Sequence, residues 1–281
     1  MPTRRDFLRN LPLITGTVAW GVSAAFKPAE VKKDFGIQLW TLRDDVAKDL
    51  DITLQEVAKI GYNSIEAFWF DGKFYGRDAV EFSRYCADLG LALHSTHTGI
   101  SDKNADLYAE IAAKAGLEYL ILPSRMGRPE STIDDILRTA SEMNRIGAIC
   151  FKHGINFGYH NHDFEFRPID GQLPYDVLLS ETDPELVSFQ VDIYWMIKAG
   201  KDPIKYFEEN PGRFNTWHIK DKGNDGESCI IGNGSIDFKT LMKQNEAAGL
   251  QRIFVEQEQY AEGNPLYCAA QSYNYIKNNL L

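Results

Sequence analysis

The chain has 281 residues, 44% of them hydrophobic, with 30 Lys and Arg against 40 Asp and Glu. That is enough material for one large domain with a substantial core. The formal net charge of −10 argues against a nucleic-acid partner, because phosphate binding rests on clustered Lys and Arg, and no basic run follows the first ten residues.

The N-terminus reads MPTRRDFLRN, then LPLITGTVAWGVSAAF, then KPAEVKKD. A charged head followed by a moderately apolar run has the form of a secretory signal. Arg4-Arg5 followed by Asp6-Phe7-Leu8 resembles the twin-arginine signal, and Val22-Ser23-Ala24 suits cleavage. Residues 1–30 are therefore expected to be an export signal and linker. The twin-arginine export machinery is then an expected partner, the expected location is periplasmic or otherwise exported, and the mature domain is expected to span 31–281.

From residue 35 a rhythm begins. FGIQLW (35–40) reads as a strand, and LDITLQEVAKIG (50–61) as a helix stopped by Gly61. Strand-like YNSIEAF (62–68) precedes helical DAVEFSRYCADLG (78–90), and LALHSTH (91–97) precedes NADLYAEIAAKAG (104–116). LEYLILPS (117–124) is the fourth strand, and a long helix with a Ser/Thr cap is expected over 131–154. INFGYHNH (155–162), LVSFQVDIYW (186–195), RFNTWHIKD (213–221) and RIFVEQEQ (252–259) are the remaining strands. Helices are expected over 174–182, 203–212, 236–249 and 264–281. Eight strands alternating with helices predict an α/β fold, a single-domain (β/α)8 TIM barrel. The rival open sheet would carry a glycine fingerprint after its first strand, where IQLWTLRDD stands instead. Cys86, Cys150, Cys229 and Cys268 form no CxxC pair; Cys86 and Cys150 sit in apolar helical contexts and read as buried thiols.

In such a barrel the chemistry belongs at the C-terminal ends of the strands. The polar groups that fall there are Glu66, His97, His160, His162, Asp192, His218, Lys220, Glu256 and Glu258. Alternation puts His160 and His162 on one face. His160, Asp192, His218 and Glu256 come from four consecutive strands, the convergence that a mononuclear nitrogen and oxygen site requires.

YHNHDFEF (159–166), QVDIYW (190–195), WHIKD (217–221), GNGSIDF (232–238) and VEQE (255–258) together resemble the xylose isomerase-like TIM barrels. That family includes sugar phosphate isomerases/epimerases, inosose dehydratase and ketose 3-epimerases. The resemblance implies one divalent metal ion, matched here by Asp192, His218 and Glu256. His160 stands where the epimerases carry a glutamate that is also an acid/base, with His162 as the alternative ligand. Two imidazoles with two carboxylates suit Mn, Zn or Co better than Mg. Glu256 is the implied catalytic base and His162 the second; Glu165 is a further local candidate. Glu66, His97, Lys220 and Glu165 are the expected substrate-binding residues. The expected function is a metal-dependent isomerase or epimerase of an unphosphorylated sugar or keto-sugar, acting through an enediolate. A lyase or dehydratase using the same intermediate is the first alternative, and a non-catalytic secreted sugar-binding barrel the second. A homo-oligomer is compatible with all three.

Overall fold

The computed structural model describes residues 35–124 and 132–281. The expected export signal lies outside the described residues. Eight parallel strands close into a barrel: β1 Gly36–Gln38, β2 Ser64–Ala67, β3 Ala92–His97, β4 Tyr119–Leu122, β5 Asn156–His160, β6 Val187–Asp192, β7 Thr216–Ile219 and β8 Arg252–Val255. Each pairs with its neighbour in sequence, and β8 returns to β1 through Gly36↔Phe254 and Ile37↔Val255. The single α/β barrel expected from the alternation is therefore present.

The strands are short and nearly continuous in burial, because one face packs into the barrel and the other against the helical ring. The outward face supplies the larger core. Trp217 stacks on Phe207 with ring centroids 4.9 Å apart, and Tyr159 meets Phe189 edge-on at 6.2 Å. The inward face is polar toward the C-terminal ends, where Gln38 aligns with Glu66, His160 with Gln190, and Asp192 with His218.

Local signals fix the helices. Asp49 caps Leu50–Ile60, which ends on the left-handed Gly61. Thr132 and Asp135 form a reciprocal capping box at the start of Ile133–Lys152. Two expectations are corrected. The run 186–195 is not all strand: Asp192 Oδ1 accepts the Trp195 N–H at 3.0 Å and caps a helix over Ile193–Lys198. The helix expected over 236–249 is two short ones, Phe238–Met242 and Asn245–Ala248, closed by Gly249 in a left-handed conformation. All four cysteines are free; Cys86, Cys150 and Cys268 are buried. Among the described residues no helix is long and apolar enough to cross a membrane.

One helix–strand approach depends on the absence of a side chain. Gly147, inside Ile133–Lys152, lies so near the chain leading into β6 that a Cβ would sit 2.4 Å from the Leu186 carbonyl oxygen. Gly147→Ala is expected to destabilise the barrel by about 1–3 kcal/mol, the usual cost of overpacking. In an open helix interior the same change stabilises by roughly 0.5–1 kcal/mol, so the sign of the shift in urea midpoint decides between the two.

Candidate active site and metal centre

The site is assembled from strand ends. His160, Asp192, His218 and Glu256, from β5, β6, β7 and the residue after β8, each offer a ligating atom, and these atoms lie within 4.8 Å of one another. All four side chains are buried. A second set, His97, His160 and His218, also converges, without a carboxylate to balance a cation.

Each member is held in a way that leaves one atom toward the centre. Asp192 spends Oδ1 on its helix cap, and Oδ2 has no hydrogen bond. That oxygen lies 3.0 Å from Lys220 Nζ, off the hydrogen-bonding axis, and 4.0 Å from His218 Nδ1. His218 gives Nε2 to Glu66 Oε1 at 2.6 Å, so Nδ1 is the nitrogen that faces Glu256 Oε2 at 3.0 Å. His160 Nδ1 is buried without a partner. Two imidazoles and two carboxylates, with His160 Nδ1 and Asp192 Oδ2 among their buried atoms left orphaned, fit a divalent ion with mixed nitrogen and oxygen ligands.

The electrostatics follow from burial. It penalises charge on Glu256, yet Lys220 and His218 overcome this and hold the carboxyl well below its usual range. Asp192 is pushed up to about 6, chiefly by burial, against the pull of Lys220. Burial also disfavours a charged His218, but Glu256 and Glu66, one at each ring nitrogen, raise it to about 10. His160 moves the other way: burial and the surrounding cationic groups keep it neutral.

The expected substrate contacts sit as follows. Lys220 is completely buried, with Nζ 2.8 Å from Glu256 Oε2, 3.0 Å from Asp192 Oδ2 and hydrogen bonded to Glu258. Glu66 is also completely buried, with Gln38 Nε2 at 2.7 Å, Gln190 Nε2 at 2.8 Å, His218 Nε2 at 2.6 Å, His97 Nε2 at 3.2 Å, and the Ser95 hydroxyl around its carboxylate. His97 Nε2 lies 2.6 Å from Gln190 Oε1. His162 stands at the mouth, its ring 5.0 Å from His160 and stacked on Phe164 at 5.2 Å; burial and then Lys220 lower it to about 4. Glu165 is placed apart from the cluster. It accepts the Tyr159 hydroxyl at 2.7 Å and the His162 N–H at 2.8 Å, and so pins the chain after β5.

Gln38, Ser95 and Gln190 are site residues that the sequence reading passed over. The signal was present for Gln190, which stands two residues before Asp192 and therefore on the same face of β6. WHIKD and GNGSIDF prove to be one unit. The Asp221 carboxylate accepts the N–H groups of Lys222, Gly232, Gly234 and Ile236 at 2.8–3.1 Å. Gly234 approaches so closely that a Cβ would lie 2.2 Å from Asp221 Oδ1. At the rim, Trp69 is 73% exposed and meets Trp40 edge-on at 5.5 Å.

Burial lifts Glu165 from the ordinary 4.5 to about 7, against the hydrogen bonds of Tyr159 and His162. The fold thus favours its protonated form. That contribution is complete below the unfolded value and disappears as pH rises through about 7. In Glu165→Gln the amide can accept from His162 and donate to Tyr159 without titrating. Between pH 5 and pH 8, wild-type stability is expected to fall relative to this variant by up to about 1.4 kcal/mol per pH unit. Urea denaturation at both pH values checks it; a constant difference refutes a buried protonated carboxyl.

Residues 54–278 match the xylose isomerase-like TIM barrel family. An inosose dehydratase of Geobacillus thermodenitrificans is 29% identical over 155 residues, 48% of this chain and 51% of that protein. The chain thus spans about half the length of the first curated relatives it matches. The inosose dehydratase of Mesomycoplasma hyopneumoniae is 24% identical over 269 residues, 86% of this chain and 84% of that one. The crystal structure of a sugar phosphate isomerase/epimerase from Parabacteroides distasonis superposes with a TM-score of 0.78 at 28% identity, covering 92% of this chain and 97% of the other. An L-ribulose 3-epimerase, 15% identical with a TM-score of 0.67 over 88% of this chain and 94% of its own, shares the fold. With four fifths of its length matched, the chain belongs to the xylose isomerase-like TIM barrel family.

Proposed function

We propose that the protein is a divalent-metal-dependent enzyme that removes a proton beside a carbonyl in an unphosphorylated sugar or keto-sugar and expels a β-oxygen, a lyase or dehydratase reaction. The observation that carries this is the set of four buried donors, His160, Asp192, His218 and Glu256, within 4.8 Å of one another. A divalent ion bound there supplies a Lewis acid for the substrate carbonyl and for the charge that develops on its oxygen.

The chain's own groups divide the proton work. Glu256 is kept ionised and uses one oxygen, Oε2, for both His218 and Lys220, which suits it to take the C–H proton. Lys220 is held protonated by Asp192, Glu256 and Glu258 despite its burial, and donates to the departing oxygen. Glu256 returns the abstracted proton to Lys220 across 2.8 Å, so the cycle closes. Epimerisation needs an acid/base group on each face of the reacting carbon. At the fifth strand that group is His160, whose imidazole has no lone pair left for a proton once one nitrogen is a ligand and the other carries hydrogen. Similarity to inosose dehydratases supports the same reading.

The second reading is isomerisation or epimerisation. It is favoured by His162, a neutral imidazole 5.0 Å from the His160 ring and able to serve the opposite face. The twin-arginine resemblance of residues 4–8 supports an exported, periplasmic enzyme, where phosphorylated sugars are scarce. Two buried atoms without hydrogen-bond partners, His162 Nδ1 and Trp195 Nε1, suit a polyhydroxylated ligand.

The test is a panel of free and keto sugars in deuterated water with Mn or Zn. An unsaturated ketone product supports elimination, whereas deuterium incorporation with inverted or relocated stereochemistry supports the second reading. Asp192→Ala and His218→Ala are each expected to lower turnover by about 10³-fold or more, the scale of a lost Lewis acid. Chelation should do the same to the wild type, reversibly. Wild-type rates in both variants would remove the mechanism.

A further inference from the structure

We propose that Glu66 is the positioning residue of the metal centre: its carboxylate turns His218 so that Nδ1 is presented to the ion, and it does not contact substrate. The inference rests on the reading above that His160, Asp192, His218 and Glu256 bind a divalent ion. Glu66 stands one residue before the end of β2, across the barrel from β7, and is completely buried. Oε1 takes His218 Nε2 at 2.6 Å and Gln38 Nε2 at 2.7 Å, with His97 Nε2 at 3.2 Å. Oε2 takes Gln190 Nε2 at 2.8 Å and the Ser95 hydroxyl.

Four hydrogen-bond donors, from β1, β3, β6 and β7, therefore fix both carboxylate oxygens, with the His97 ring beside them. A carboxylate has roughly four lone-pair sites, so none is left over for a sugar hydroxyl. What this arrangement accomplishes is set at His218. An imidazole ligand needs its second nitrogen to donate to a fixed acceptor, which selects the tautomer and the ring angle. The His218 ring has no room to choose otherwise: it stacks on His97 at 5.3 Å with an interplanar angle of 10° and lies 4.6 Å from the His160 ring. Glu66 is thus the acceptor that commits Nε2 and frees Nδ1 for Asp192 and Glu256. It also links the His218 ligand to Gln190, which stands on the Asp192 face of β6, so that one side chain braces parts of two ligand strands.

The test reads metal affinity, which does not depend on knowing the substrate. Co(II) is titrated into the metal-free whole protein by calorimetry, and the visible spectrum of the bound ion is recorded. Glu66→Gln preserves size but offers an amide where four donors converge. It is expected to weaken Co(II) binding by about 10–100-fold, the range seen when a ligand's outer partner is lost, and to alter the visible bands. Gln38→Ala keeps the charge and cuts one brace on Oε1; it should give a smaller loss in the same direction, and it carries the test if Glu66→Gln fails to fold. Gly147→Ala, destabilised in the outer helix, should retain the wild-type affinity and spectrum, which separates positioning from general loss of stability. Wild-type affinity and spectra in both Glu66→Gln and Gln38→Ala would overturn the inference while leaving the metal-enzyme reading intact. No Co(II) binding by the wild-type protein would overturn both.

Discussion

Three carboxylates, those of Glu66, Asp192 and Glu256, are buried at one end of this barrel, and their charges must be balanced inside it. An uncompensated buried charge costs several kcal/mol even after relaxation. The chain answers with Lys220 and His218, both completely buried and both held in their charged forms by the acids around them. The spacing of the site, the protonation of its members and the short contacts between strands all follow from that balance. On the proposed reading, a divalent ion would take the place of the His218 Nδ1 proton that faces Glu256, so the same carboxylates that hold the imidazolium would hold the cation.

The barrel was legible because parallel strands and crossover helices impose different periods on the sequence, and glycine stops such as Gly61 and Gly249 mark the changes. Boundaries were less legible where one residue serves two purposes. Asp192 ends a strand and caps the following helix, and nothing in LVSFQVDIYW marks the switch, since Ile193, Tyr194 and Trp195 suit a strand as well. The convergence of His160, Asp192, His218 and Glu256 could be read because strand ends in a closed barrel meet at one mouth. The destinations of the second oxygens and nitrogens could not, because they depend on cross-barrel distances. Glu66, expected at a sugar hydroxyl, is enclosed by Gln38, Ser95, His97, Gln190 and His218, a set of neighbours that the sequence does not spell out. Glu165 has titratable chemistry, but Tyr159 on the outward face of β5 draws it away from the cluster.

These destinations divide the site into two kinds of group. Glu66, His218, Lys220, Asp192 and Glu256 lie at strand ends or within a residue or two of them, and they satisfy one another. His162 and Trp195 lie beyond the strand ends, and each keeps a buried nitrogen without a hydrogen-bond partner. The first group is braced from several strands at once, so a change in one member disturbs the others. The second is attached to short connections, the Phe164–Phe166 turn and the Ile193–Lys198 helix, which can vary without disturbing the barrel ladder. A family whose members carry isomerase, epimerase and dehydratase names on one architecture is what that separation allows. If the proposed function holds, the mouth supplies the polarising centre and the proton-holding pair, while the connections above it decide which ligand is presented and on which face the proton moves.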